Sequence, residues 1–179
     1  MIKIENKTVE IKLVDIKDLS FVMEIINDAK ELLKKDSLQW QQGYPNEQTM
    51  ENDIYNYHLY GYYIDNLLVG IVALIPGIDT NYLQIKQGSW QKFPSSKDLN
   101  IHRIAVKKEF YKQKIGEKLL NFAINFAKDN KFESVKLDTH RKNIAMQKIS
   151  LNTGFTYRGI IYLQKDEVDN SRLAYELVI

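Results

Sequence analysis

The sequence predicts an α/β fold on one mixed sheet, mostly antiparallel, with a parallel central pair and helices on both faces. Three observations lead there. Strand and helix patterns follow one another along the chain as strand, two helices, strands, helix, strand, helix and two strands. The middle reads strand, helix, strand between about Asn100 and Thr139, the order of a parallel pair joined by a right-handed crossover. The other strands are joined in ways that suit antiparallel neighbours. A chain of 179 residues, 44% apolar and 27% charged, is long enough for one sizeable core, and a single domain over 1–179 is expected.

The elements follow in order. Val9, Ile11 and Leu13 alternate with charged residues as in a half-buried strand. Asp15 offers a cap and Asp18 a first-turn carboxylate for a helix in which Leu19, Val22, Ile26, Ala29 and Leu33 recur at helical spacing. Ser37 to Pro45 is an aromatic, Gly- and Pro-punctuated loop leading to a second helix around Asn46 to Tyr57. Strands at about Leu59 to Asp65 and Leu67 to Ile75 flank Asp65-Asn66, a tight hairpin turn.

A less regular piece carries Tyr82, Ile85 and Trp90 and ends in the Phe93 to Asp98 loop. In the next strand Ile101, Arg103 and Ala105 should face one way and His102, Ile104 and Val106 the other. Ile115 to Lys128 forms a helix with a broad apolar face. Val135 and Leu137 mark a strand ending in Asp138-Thr139-His140, and Asn143 caps a short helix that stops at Gly154. Phe155 to Leu163 and Arg172 to Ile179 are closing strands joined by the polar Gln164 to Asn170 turn.

Composition narrows the function. With no cysteine, disulfides, thiol nucleophiles and sulfur-ligated zinc are excluded, and three histidines (His58, His102, His140) are few for a metal site, so no metal is expected. The charged start, Met1 to Lys7, has no signal-peptide core, and Leu67 to Ile78, broken by Gly70, Pro76 and Gly77, falls short of the ~20 residues that span a bilayer. No membrane partner is expected, and the absence of cysteine fits a cytoplasmic location. A net charge of +2, with lysines mostly spread singly, argues against nucleic acid.

Between Lys107 and Gly116 a strand enters a helix whose first-turn amides lack partners, a site suited to phosphate. Lys112 and Lys114 add positive charge there. Taken alone, the same residues could be a solvated helix cap.

Ile101-His-Arg-Ile-Ala-Val106, followed by Phe110-Tyr-Lys-Gln-Lys-Ile-Gly-Glu-Lys-Leu-Leu120, resembles the acetyl-CoA binding region of the GNAT N-acetyltransferases. Asn143-Ile-Ala-Met-Gln-Lys-Ile-Ser-Leu-Asn-Thr-Gly-Phe155 resembles that family's next motif, and the order of elements matches its fold over nearly the full chain. The resemblance implies the acyl-CoA N-acyltransferase fold, acetyl-CoA as acyl donor, and acetyl transfer to a primary amine of a small molecule or protein. It implies that Ile104, Ala105, Val106, Tyr111, Lys112, Gln113, Lys114, Ile115, Gly116, Glu117 and Asn143 hold the CoA. The closing stretches Thr139 to Asn143, Gly159 to Leu163 and Arg172 to Tyr175 resemble a bacterial subgroup.

The family's loop pattern, Gln or Arg, two residues, Gly, one residue, Gly or Ala, falls on Tyr111, Lys114 and Gly116, so only the last position fits. Main-chain amides can still grip a pyrophosphate, because any non-proline residue supplies them. The tyrosine that often protonates the departing thiolate is replaced by Ser150, which either touches the thiolate or packs its helix.

An amine nucleophile must lose a proton, because alkyl ammonium groups have a pKa near 10. His102 is the first candidate base, His140 the second, with Asp138 or Glu109 able to act through water. A structural role for either histidine is the rival. In the family, a bulge near Ile104 to Val106 turns amides toward the acyl group. Trp40, Tyr44, Tyr82 and Trp90 either line an acceptor pocket or pack the core. The leading expectation is a cytoplasmic N-acetyltransferase; the alternative is a CoA-binding regulatory or interaction module without turnover. The sequence leaves the oligomeric state open, a homodimer included.

Overall fold

In the computed structural model, which describes residues 7–37, 39–164 and 169–179, the alternating start forms β1 (Val9–Leu13). Asp15 caps a single 3-10 turn, its carboxylate accepting the Lys17 N–H at 3.0 Å, and that turn runs into α1 (Leu19–Leu33). Asn46 caps α2 (Glu47–Tyr55) through a reciprocal pairing with Thr49. This helix stops two residues before the expected Tyr57, which itself has a left-handed backbone at φ 58°. Met1 to Asn6, Leu38 and 165–168 lie outside the described residues, so the reading of the chain's start and most of the Gln164 to Asn170 turn fall there.

β2 (Leu59–Ile64) and β3 (Leu67–Pro76) make the expected hairpin. Asp65 and Asn66 both take positive φ, 49° and 66°, which fits a two-residue turn of the type that matches strand twist. The irregular piece contributes a 3-10 turn (Thr80–Leu83) and a two-residue strand, β4 (Ile85–Lys86). Then come β5 (Asp98–Val106), α3 (Ile115–Asp129), β6 (Ser134–Thr139), α4 (Ile144–Asn152), β7 (Thr156–Tyr162) and β8 (Ser171–Val178). β5 begins at Asp98, where a loop was expected, because 98–101 pair with β6. Gly154, with φ 96°, ends the α4 segment as anticipated.

The eight strands form one sheet in the order β1-β2-β3-β5-β6-β8-β7-β4, antiparallel except for β5 with β6. Adjacent β3 residues divide between its faces: Ile71 and Ala73 pack with α1 and α2, Val72 and Leu74 with α3. β3 is therefore an apolar run, buried on both sides. Gly70 lets α3 approach, since a Cβ there would stand 3.0 Å from an Ile115 methyl. Among the described residues no helix is long and apolar enough to cross a membrane.

Two irregularities open this sheet. β5 and β6 pair only over 98–101 and 134–137; beyond that β5 stays on β3 while β6 stays on β8, so the strands part at their carboxyl ends. Such a crevice is where open α/β sheets bind ligands. Between Ile71↔Ala105 and Ala73↔His102 two steps on β3 oppose three on β5, a bulge in which Arg103 has φ 48°. The bulge corrects the expected faces. Ile104 and Val106 pack on the same core as Leu99 and Ile101, whereas His102 lies opposite Ala73 of the other layer. His102 does not share a face with Ile104 and Val106, because the extra residue shifts the two-residue period by one.

Candidate active site

The mouth of the site is the start of α3. Phe110 is buried and anchors the loop from below. Tyr111 donates its hydroxyl to the Asp28 carbonyl of α1 at 3.2 Å; burial, with the Asp28 charge second, pushes that phenol up to about 12. Lys112 and Lys114 then take left-handed backbones at φ 65° and 59°. Lys114 makes no side-chain cap, and the Lys118 N–H reaches the Lys114 carbonyl at 3.0 Å, so the amides ahead of it have no partner one helical turn back. Those amides, the dipole of a 15-residue helix and two exposed lysines make a surface suited to an anion.

A non-glycine residue in the left-handed region is strained by roughly 1–2 kcal/mol, partly offset by glycine's larger unfolded entropy. Lys114→Gly should therefore stabilise the protein by ~0.5–1 kcal/mol. Urea denaturation checks this; unchanged stability would mean that contacts of the lysine side chain already compensate the strain.

From this mouth a cavity of about 470 Å³ runs into the crevice. Of the expected CoA-binding residues, Tyr111, Gly116, Ile104, Ala105, Val106 and Asn143 line it. Lys112, Gln113, Lys114, Ile115 and Glu117 do not, although they form the loop and first turn at its mouth. Asn143 caps α4 by accepting the Met146 N–H at 3.1 Å.

At the inner end His102 meets Asp79, with Nε2 3.0 Å from Oδ2. Asp79 is held by its own turn, accepting the Asn81 N–H at 2.9 Å. Burial works to raise the Asp79 carboxyl, but the His102 hydrogen bond and charge, with the Asn81 contacts, outweigh it and leave the group below the usual carboxylate range. An ionised Asp79 requires Nε2 to carry a proton, so in the neutral ring Nδ1 is the proton acceptor. Asp138, at the end of β6, faces the same space and accepts the Tyr82 hydroxyl at 2.8 Å. Burial raises the Asp138 carboxyl, and neighbouring His102, Tyr82 and Arg172 only partly counter it. Burial, then Asp138, pushes the Tyr82 phenol well above its ordinary range.

The expected residues thus separate. Trp40, Tyr44 and His102 line the cavity. Tyr82 is fully buried behind it, stacked on the His102 ring at 6.2 Å between centroids and hydrogen-bonded to Asp138; Trp90 packs on Tyr82 and donates Nε1–H to the Tyr82 carbonyl at 2.8 Å. His140 does not reach the cavity. It is 3% exposed, with Nε2 3.0 Å from Asp169 and Nδ1 accepting the Lys142 N–H. Ser150 is also away from the cavity, donating to the Met146 carbonyl at 2.8 Å within α4. Glu109 lies in the exposed turn ahead of α3.

Asp79 and the Asp53–Arg103 pair were not singled out from the sequence. Asp79-Thr-Asn81 carries a turn signal, but nothing local ties it to His102.

A splayed parallel strand pair, a bulge at the parting and uncapped helix amides at the mouth make a crevice suited to a ligand that carries phosphate. The chain belongs to the acetyltransferase (GNAT) family, which matches residues 21–155. A GNAT-family acetyltransferase from Streptococcus agalactiae 2603 superposes with a TM-score of 0.84 at 29% identity, over 96% of this chain and 95% of that one. PaiA N-acetyltransferase from Thermoplasma acidophilum, solved with coenzyme A, gives 0.69 at 19% identity, over 96% and 99%. The ribosomal-protein-alanine N-acetyltransferase of Brucella melitensis gives 0.70 at 16% identity, over 95% and 99%. No curated protein matches the sequence.

Proposed function

We propose that the protein transfers the acetyl group of acetyl-CoA to a primary amine by direct attack on the thioester. The observation that carries this is the continuous cavity from the α3 amides, past the β5 bulge, to His102 and Asp79. That the Thermoplasma neighbour was solved with coenzyme A supports the choice of donor. The residues fit the donor: amides and lysines of the α3 mouth suit a pyrophosphate, and the parted β5 edge beyond Ile101 offers main-chain groups to a pantetheine arm.

His102 Nδ1 takes a proton from the ammonium, directly or through water, while Asp79 stabilises the resulting imidazolium. The amine adds to the carbonyl carbon, and a main-chain N–H at the bulge, in 104–106, holds the oxyanion. Collapse breaks the C–S bond. The proton still on the new C–N nitrogen passes to the thiolate, directly or through water, giving the amide and free CoA. No side-chain acid is needed, consistent with Ser150 being committed to its own helix.

The test is release of free thiol from acetyl-CoA with propylamine, phenethylamine, lysine and a peptide with a free N-terminus, alongside calorimetry of CoA. Thiol release above hydrolysis is expected for at least one acceptor. CoA binding without release for any amine would favour a binding module, and no heat on adding CoA would end both readings. The double variant Lys112→Glu/Lys114→Glu should raise the Kd for CoA roughly tenfold at low salt and less at high salt, because both side chains are exposed and screened. An unchanged Kd would contradict the placement of the pyrophosphate.

A further inference from the structure

Two parts of the chain far apart in sequence, Tyr44 to Asp53 and the β5 bulge, meet at one side chain. Arg103, the left-handed residue of the β5 bulge, places Nε 2.5 Å and Nη2 2.9 Å from the two carboxylate oxygens of Asp53 on α2. Its Nη1 donates to the Tyr44 hydroxyl at 2.7 Å. The guanidinium and carboxylate side chains are only 8% and 9% exposed. Tyr44 in turn lines the cavity together with Trp40. The planar fork of arginine fixes these directions at once, which a lysine could not do.

Stability gives no reason for this arrangement. A buried ion pair is weak evidence of stabilisation, since apolar side chains of similar volume often serve as well or better. A bulge that needs positive φ is met with least strain by glycine. Here a strained backbone and a desolvated charge pair coincide at the residue preceding the amides of 104–106, and the third arm holds the aromatic wall of the cavity.

We propose that Asp53 and Arg103 form a positioning pair that holds the β5 bulge amides and, through Tyr44, the acceptor wall in one fixed relation. The inference rests on the acetyl-transfer reading, because it assigns those amides to the developing oxyanion. Asp53 pins the guanidinium, the guanidinium keeps residue 103 left-handed, and the amides that follow stay aimed into the crevice. The Tyr44 arm sets how far the amine sits from the acyl carbon. The α3 mouth lies outside this linkage, so donor binding should be independent of it.

The test compares wild type with Asp53→Asn, Tyr44→Phe and the double variant Asp53→Ala/Arg103→Gly. Measured quantities are kcat and both KM values with the best acceptor of the amine panel, Kd for CoA by calorimetry, and the backbone amide resonances of Ile104 to Val106. Asp53→Asn should lower kcat at least tenfold, leave the KM for acetyl-CoA and the Kd for CoA within twofold, and shift or broaden those resonances. Tyr44→Phe should raise the acceptor KM several-fold with little change in kcat. The double variant, in which glycine adopts positive φ unaided and no charge is stranded, should regain most of kcat. Should Asp53→Asn not fold, Arg103→Lys, which keeps the charge without the fork, carries the same expectation.

A fall in thermal stability with unchanged kcat and unmoved resonances would overturn the proposal, as would a double variant no more active than Asp53→Asn. If wild type acetylates no amine of the panel, the functional reading fails instead, and the resonances of Asp53→Asn still decide whether the pair holds the bulge.

Discussion

Replacing His102 with Gln is expected to lower kcat/KM for the amine by about 10²–10⁴-fold, the range that positioned general bases contribute. Glutamine keeps a donor for Asp79, which preserves the 3.0 Å contact, but it offers no nitrogen that accepts a proton at neutral pH. The pH profile carries the sharper information. In wild type the imidazole takes the proton of the ammonium, so the rate should hold at neutral pH, where free amine is scarce. The variant should climb only with the fraction of free amine, so its deficit should narrow in alkaline solution. Asp79→Asn should weaken the rate less, because the base survives while its orientation and the stabilisation of its cation are lost. A His102→Gln enzyme with unchanged rate and profile would remove His102 as the base and leave Asp138, whose carboxyl burial raises, as the group to test next.

The second large effect is on stability and lies behind the site. Lys136 of β6 is fully buried, with Nζ 2.8 Å from Asp98, 3.4 Å from Glu176 and 5.4 Å from the centre of the Trp90 ring. Removing one partner of a buried pair typically costs 3–5 kcal/mol. Lys136→Met should fall near the lower end, about 3 kcal/mol, because both carboxylates keep other donors. Asp98 retains the Ser95 N–H and the Ser134 hydroxyl, and Glu176 retains the N–H groups of Gln91 and Lys92 and the Arg158 guanidinium at 2.9 Å. At this chain length that corresponds to a fall in Tm of on the order of 10 °C. Thermal and urea unfolding measure both figures; a Tm within 2 °C of wild type, on the order of the scatter for a surface substitution, would show that the cluster needs no cation.

The cluster also shows why some of the molecule was hidden in the sequence. Lys136 sits between Val135 and Leu137 in a strand that reads as alternating, and by period alone it belongs on a solvated face. β6 lies inside the sheet, between β5 and β8, and the ring of Trp90 with two carboxylates closes over that position. Trp90 likewise reads equally well as pocket or core, and only the contact with Tyr82 places it behind the cavity. His140 as a base and Ser150 as a hydrogen-bond donor to the thiolate are both candidates by residue type, but neither reaches the cavity; one meets Asp169 and the other its own helix.

Residue order alone determined the elements and the mouth of the site, because those depend on forces acting within a few residues. Periodic apolar positions set α1 and α3, Asn46 and Asn143 cap their helices, Asp65-Asn66 turns the hairpin, and the helix after Lys114 exposes amides whatever surrounds it. Tertiary structure decided what the site can do. The single added residue at Arg103 reverses which side chains face the crevice, and its geometry is shared with Asp53, 50 residues away, and Tyr44, 59 away. His102 acquires its orienting carboxylate from Asp79 in a separate turn. Such contacts arise only when sheet register brings distant segments together, and a one-residue shift in that register exchanges one face for the other.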